Sequence, residues 1–159
     1  MGRLYRKFFT AAATLSLVIF LLQTLSCRAA AIDDSLPDAT LLAQMELRAQ
    51  QAKPREQCFL YTELVHAMTE VAGHQMLAGE TENAAATLKQ VQHYAELIHL
   101  GLANDTKRLM NAQLLMHHTN RRLDEYVHKA AFEDRETMEA TLKQLSRVED
   151  ELLNQVFTH

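Results

Sequence analysis

The segment Thr81–Leu100, TENAAATLKQVQHYAELIHL, carries its apolar side chains at alternating steps of four and three residues. These positions are Ala84, Leu88, Val91, Ala95 and Ile98, and Leu102 continues the stripe beyond the segment. A stripe with this period lies on one face of an α-helix and packs against neighbouring helices at shallow crossing angles. The segment therefore predicts a helix over about 81–103 that belongs to a helical bundle.

The centre of this segment, ATLKQV, returns as ATLKQL at Ala140–Leu145. Aligning residues 82–98 with 136–152 gives six identities in 17 positions, five of them consecutive, and the apolar stripes coincide except at Glu149. The repetition predicts a helical hairpin of about 54 residues used twice, with chance similarity between amphipathic helices as the alternative. The repeated leucine belongs to a packing seam. The polar residues expected to lie off the seam are Lys89, Gln90, Lys143 and Gln144.

After its first 31 residues the chain keeps this helical periodicity and contains little glycine or proline, which favours an all-α fold. The predicted helices span about 36–52, 54–77, 81–103, 106–131 and 134–157. Pro54 suits the first turn of a helix, Gly79 suits a left-handed helix end, and Asp105 and Asp134 are expected to cap the last two helices. We expect antiparallel helical hairpins forming a four-helix bundle or a short stack, with a shorter N-terminal helix packed against it.

The turn LAGETENAAATL, residues 77–88, resembles the inner turn of tetratricopeptide repeats. In that family a small residue ends one helix, and an alanine and then a large apolar residue follow in the next. Ala72, Ala84 and Leu88 fall in matching positions, although the family's tryptophan, tyrosine and closing proline are missing. The resemblance covers about residues 60–100, and its repeat falls at 114–156. It implies a tetratricopeptide-like stack that acts as a protein-binding scaffold rather than a catalyst.

The first 31 residues have the pattern of an export signal. Basic residues precede an uncharged apolar stretch, and CRAAA closes it, so cleavage is predicted after Ala31. Two alternatives are an uncleaved membrane anchor through residues 8–27 and lipid attachment at Cys27. The predicted location is extracytoplasmic, either periplasmic or secreted, with residues 32–159 as a single helical domain.

Removal of the signal leaves 12 basic residues against 20 acidic ones, a net charge of −8. Because an acidic chain without a basic run is repelled by nucleic acid and anionic lipid, we expect no nucleic-acid partner and no membrane contact beyond the signal or anchor. The expected partner is an unknown protein, or a second copy in a homo-oligomer. The remaining cysteine, Cys58, predicts a thiol packed at a helix edge or, alternatively, an intermolecular disulfide.

Three of the eight histidines follow a glutamate at the same spacing, in ELVH, ELIH and EYVH at Glu63–His66, Glu96–His99 and Glu125–His128. Ferritin-like di-iron bundles present metal ligands on such motifs. Here the two middle residues border the apolar stripe, so the glutamate and the histidine are expected to face solvent. A transition-metal site on the surface or between subunits is a hypothesis. Its candidate ligands are His66, Glu70 and His74, at four-residue steps on one helix flank, or His117 and His118.

Motifs for other chemistry are missing from the sequence, including a haem-attachment motif, a glycine-rich phosphate loop and a glycine-flanked nucleophilic serine. We therefore expect no cofactor and no catalytic residue. The sequence predicts a non-enzymatic interaction or scaffold protein of the cell envelope or exterior, and the alternative is a metal-binding protein that uses surface histidines. Protonation of the eight histidines near pH 6.5 would bring the net charge toward zero, which predicts pH-sensitive association.

Overall fold

A computed structural model describes residues 36–102, 106–131 and 135–158 of the chain. These residues form five helices and no strand, so the predicted all-α fold is confirmed. The predicted signal with its cleavage point after Ala31, the alternative anchor through 8–27, and Cys27 lie outside the described residues. Within the described ranges, no helix is both long enough and apolar enough to cross a lipid bilayer.

The helices are α1 Ala39–Gln51, α2 Pro54–Leu77, α3 Thr81–Gly101, α4 Leu109–Lys129 and α5 Arg135–Thr158. Local interactions explain why α1 and α2 begin where they do. Asp38 caps α1, because its carboxylate accepts a hydrogen bond from the backbone N–H of Leu41 at 2.7 Å. Pro54 is the first residue of α2, where a missing N–H leaves no intrahelical bond unmade. After α2, Gly79 takes the predicted left-handed conformation, with φ of 79°.

The start of α4 departs from the prediction. Its N-cap is Arg108 rather than Asp105, and Arg108 has a left-handed backbone with φ of 58°. A non-glycine residue in that region costs about 1–2 kcal/mol, so its surroundings must hold it there. Asp105 itself and Asp134, the predicted cap of the last helix, lie outside the described residues.

Helices α2 and α3 form one antiparallel hairpin, and α4 and α5 form the second. Helix α2 also packs on α4, and α3 packs on α5, so the four helices close a ring of contacts. Helix α1 packs antiparallel against α2. The Gln57 amide donates to the Gln50 carbonyl at 3.4 Å near the turn between them, and Arg48 lies 4.0 Å from Glu63 further along.

Corresponding helices of the two hairpins run parallel, because their contact partners advance together along the sequence. Four of the side-chain pairs that join α2 to α4 or α3 to α5 are His66–Thr119, Glu70–Arg122, Gln92–Gln144 and His99–Glu151, whose members are 52 or 53 residues apart. Two more, Gln92–Thr141 and Glu70–Tyr126, are 49 and 56 residues apart. These separations lie around the 54-residue period of the repeat. The hairpins therefore stack so that nearly equivalent positions of the repeat meet.

The repeated leucine, Leu88 in the first copy and Leu142 in the second, shows how the seam is built. Leu88 is fully buried, and Leu142 is half-buried against the same core. The residues three positions later, Val91 and Leu145, are both fully buried. The prediction that Gln144 lies off the seam is wrong, because its amide donates to the Gln92 carbonyl at 2.9 Å in the contact between α3 and α5. Helix α5 contacts both α3 and α4, so it buries a wider face than one stripe.

Helix α2 is buried on more than one face because it contacts α1, α3 and α4. Val65, Thr62 and Thr69 have no exposed surface. Each threonine hydroxyl donates at 2.8 Å to the backbone carbonyl four residues earlier, which satisfies its polar atom inside the core. Helix α1 is less covered than α2. Its Leu41 is 47% exposed, because α1 packs mainly on α2.

The contact between α2 and α4 centres on Gly73 and Tyr126. A Cβ atom on Gly73 would lie 2.3 Å from the Tyr126 ring, far inside van der Waals contact. The absence of a side chain on α2 therefore lets the tyrosine ring of α4 lie directly against the helix backbone. Tyr126 is 2% exposed, so this ring fills the seam between the hairpins.

A polar network continues from the Tyr126 ring. The Tyr126 hydroxyl donates to Glu70 at 2.7 Å, and Arg122 makes two parallel hydrogen bonds to the same carboxylate at 2.7 and 2.8 Å. Arg122 also donates to Glu125 at 2.7 Å. The hydrogen bond from Arg122 lowers the pKa of Glu70 from its usual 4.5 to about 2, against the opposing effect of burial. Burial raises the pKa of Tyr126 to about 12.

We expect Gly73→Ala to lower the free energy of unfolding by about 1–3 kcal/mol in urea denaturation, because the added methyl group overlaps the Tyr126 ring. The higher helix propensity of alanine opposes this loss by about 1 kcal/mol. Gly101→Ala is the matched control. Its Cβ would lie 3.9 Å from that of Cys58, an ordinary contact, so this variant should be neutral or stabilised. Equal effects at both glycines would contradict the close approach.

We expect Glu70→Gln to destabilise the protein by about 2–3 kcal/mol near neutral pH, because Arg122 loses its carboxylate partner in a partly buried site. A carboxyl with a lowered folded pKa stabilises above its usual pKa of 4.5 and loses that effect as the pH falls toward 2. The difference between wild type and variant should therefore shrink in acid. Glu139→Gln, an exposed control on α5, should show neither effect.

Candidate functional site

A groove of about 600 Å³ lies between α1, the start of α2 and the two residues that precede α4. This volume is within the range of known ligand pockets. The groove is at the end of the bundle where α2 and α4 begin and α3 ends. The backbone N–H of Lys107 donates to the Arg55 carbonyl at 2.8 Å and ties the segment before α4 to the first turn of α2.

Arg108 closes one side of this groove. Its guanidinium carbon lies 3.6 Å above the centre of the Phe59 ring, a cation–π contact. The left-handed backbone of Arg108 and the Lys107 hydrogen bond together direct the side chain over α2. Outliers of this kind often occur at binding sites, where the surrounding structure holds them. Within the described part of the chain, the guanidinium N–H groups of Arg108 have no hydrogen-bond partner.

The groove has a basic rim in an otherwise acidic protein. Arg48 of α1 joins Lys107 and Arg108, and Glu56 is the acidic residue of the lining, 3.6 Å from the Lys107 ammonium. Five of the 12 basic residues after residue 31 fall in two short segments, 48–55 and 107–108, which meet at this end. Because these residues do not form a basic run in the sequence, the sequence pattern does not indicate the cluster.

The rest of the lining is apolar with amide groups. Phe59 and Leu60 of α2 are nearly buried and form the base, and Leu47 of α1, at 53% exposure, forms an edge. Gln44 and Gln51, also on α1, add side-chain donors and acceptors. The groove therefore combines apolar contact, hydrogen bonding and positive charge.

The predicted metal ligands lie elsewhere, mostly in the contact between the hairpins. His66 and His118 are in edge-on contact, with ring centres 5.5 Å apart. His66 Nδ1 is 3.0 Å from the Thr119 hydroxyl oxygen. That hydroxyl donates to the Leu115 carbonyl at 2.8 Å, so it accepts from His66, and Nδ1 of the neutral ring carries the proton.

The other three candidate ligands have different partners. Glu70 is bonded to Arg122, His117 Nδ1 lies 2.7 Å from Glu149, and the His74 ring packs edge-on against Tyr126. Among the described residues, no three His, Cys, Asp or Glu side chains are placed to hold one metal ion. The structure thus brings two of the five predicted ligands together.

The Glu-x-x-His motifs are only partly solvent-facing as predicted. His99 and His128 are exposed, and His99 Nδ1 lies 2.7 Å from Glu151. His66 is half-buried instead, because α2 has neighbours on three sides. Cys58 is fully buried, and burial raises the pKa of its thiol to about 12. This matches the packed thiol among the two alternatives for that residue.

No protein-family model, curated protein or solved structure matches this chain. The resemblance to tetratricopeptide repeats therefore has no support from a family match.

We expect His66 and His99 to affect stability in opposite directions between pH 7.5 and 5.5. Burial lowers the pKa of His66, helped by His118 and Arg122 and opposed by Glu70, so its folded form resists protonation. Stability that depends on neutral His66 is lost as the pH falls through its unfolded pKa of about 6.5. The hydrogen bond to Glu151 raises the pKa of His99, so that pair stabilises below about 6.5 and is lost as the pH rises through its folded pKa.

Urea unfolding of wild type, His66→Gln and His99→Gln at the two pH values checks this. The His66 variant should lose less stability on acidification than wild type, and the His99 variant should lose more. His128→Gln is the control, because the contacts of His128 are to Asp124 within α4. Equal pH dependence in the two test variants would contradict the opposite shifts.

Proposed function

We propose that this protein is a non-enzymatic helical interaction protein that binds a partner protein in the basic groove, outside the cytoplasm. The observation that carries the proposal is the coincidence of three properties in one concave surface. Nearly buried apolar residues form its base, amides line one wall, and a lysine and two arginines form its rim. Binding sites for proteins commonly combine an apolar centre with a polar edge.

Arginine and aromatic residues carry much of the binding energy of known interfaces, and Arg108 stacked on Phe59 has both. Other exposed apolar residues, such as Leu114 at 58% and Phe157 at 82%, are on α4 and α5. Apolar side chains exposed singly are ordinary on protein surfaces and need no partner. The groove is therefore the better supported binding surface.

Export is the second part of the proposal. It is supported by the basic start, the uncharged apolar stretch and the CRAAA ending within residues 1–31. The partner is accordingly sought in the envelope or the surroundings of the native host.

Site-specific crosslinking in the native host tests the proposal. A photoreactive amino acid replaces Leu47 at the groove edge or, as the matched control, Leu114 on α4, whose exposure is similar. We expect a discrete crosslinked protein from position 47 that is absent from position 114. The product should disappear when Lys107→Gln and Arg108→Gly are added. Identical products from both positions, or none from position 47, would overturn the assignment of the groove.

A further inference from the structure

We propose that the groove is specific for an acidic amphipathic segment of the partner protein, with apolar side chains against Leu47 and Leu60 and carboxylates facing the basic rim. This inference rests on the proposed function and names the chemistry of its ligand. The first argument is charge complementarity. Among the described lining residues, Arg48, Lys107 and Arg108 outnumber the one carboxylate, Glu56, although the protein as a whole is acidic.

The free donors of the rim make the charge argument stronger. Lys107 has Glu56 as a partner at 3.6 Å, and both side chains are exposed, so this pair is weak. Arg48 is exposed and lies 4.0 Å from the partly buried Glu63, which is the outer limit of an ion pair. The flat face of the Arg108 guanidinium is stacked on Phe59, which leaves its edge N–H groups available to a carboxylate. Arginine binds carboxylates through two parallel hydrogen bonds, as Arg122 does with Glu70 in this protein.

The lining favours a peptide over a fatty acid. Gln44 and Gln51 stand among the apolar lining residues, and their amides match the N–H and C=O groups of a peptide backbone. An acyl chain gains nothing from those amides and leaves them without partners. A peptide with apolar side chains at helical spacing satisfies both the amides and the apolar base.

The fixed position of Arg108 supplies selectivity for negative charge. Its left-handed backbone keeps the guanidinium over the groove, so the free protein already presents the charge that the ligand meets. A preorganised cation loses little side-chain freedom on binding. A ligand with basic residues in the same places would meet three like charges.

Fluorescence anisotropy with three labelled peptides of about twelve residues tests the inference. The peptides share leucines at helical spacing and carry glutamate, glutamine or lysine at the remaining positions. We expect the glutamate peptide to bind the mature protein at least about tenfold more tightly than the glutamine peptide, the lysine peptide to bind least, and only the glutamate peptide to weaken strongly with added salt.

Variants assign the effect to the groove. Arg48→Gln with Lys107→Gln should weaken the glutamate peptide about tenfold, and Arg108→Gly should do the same while keeping the left-handed backbone. Glu56→Gln should tighten binding of that peptide, a gain that misfolding cannot imitate. The charge-matched control is Lys89→Gln with Arg121→Gln, both exposed outside the groove, and it should bind like wild type.

Three results would overturn the inference. One is equal binding of the three peptides; another is binding of laurate, but of no peptide, that Leu47→Asp abolishes. The third is self-association in sedimentation that Leu47→Asp abolishes, which would make a second copy the occupant. Loss of peptide selectivity with a crosslink still formed from position 47 would reject the acidic ligand and keep the proposed function. Absence of a crosslink from position 47 in the otherwise wild-type protein would reject the proposed function itself.

Discussion

The close approach of the Tyr126 ring to the backbone of α2 at Gly73 sets the distance between the two hairpins. Only a residue without a Cβ leaves room there, and Gly73 provides it. Once the ring lies against the backbone, its hydroxyl reaches Glu70, and Glu70 in turn receives both hydrogen bonds of Arg122. The ion pair thus depends on a steric fit.

Arg122 within α4 and Arg108 at its N-cap show two different roles of an arginine side chain. Arg122 has its donors taken by Glu70, Glu125 and Tyr126, so it holds the protein together and has little capacity for a ligand. Arg108 contacts an aromatic face instead, and its charge stays directed outward. The parallel alignment of α2 with α4 brings the starts of both helices to one end, and this is why the basic residues of two distant segments meet there.

The sequence predicted the parts of the fold that depend on local chemistry and period. Pro54 and Gly79 mark the limits of α2 closely, and the four-three stripe of α3 gives its buried face from Ala84 to Ile98. Contacts between helices were not predictable in this way. Nothing near Glu70 in the sequence indicates Arg122, which is 52 residues away.

The candidate site was less predictable than the fold for the same reason. Its basic residues come from segments about fifty residues apart. Position 108 has a left-handed backbone but is an arginine, not the glycine or asparagine that usually indicates that conformation. The three Glu-x-x-His motifs share the same spacing in the sequence, which suggested a common site. In the structure His66 belongs to the hairpin contact and His128 to its own helix, so regular spacing there reflects helix periodicity and not a shared site.

The parallel stacking of like helices relates the two hairpins by a displacement rather than by a rotation that closes on itself. Such a relation is open-ended, because the outer side of the second hairpin corresponds to the side that the first one buries. Solenoid proteins end such series with polar outer faces. Exposed charged residues on α4 and α5, including Arg121, Asp124, Lys143 and Asp150, supply that polarity here. In a stacked architecture of this kind, the polarity of the outer face of the last hairpin decides whether that face offers a surface to a further hairpin.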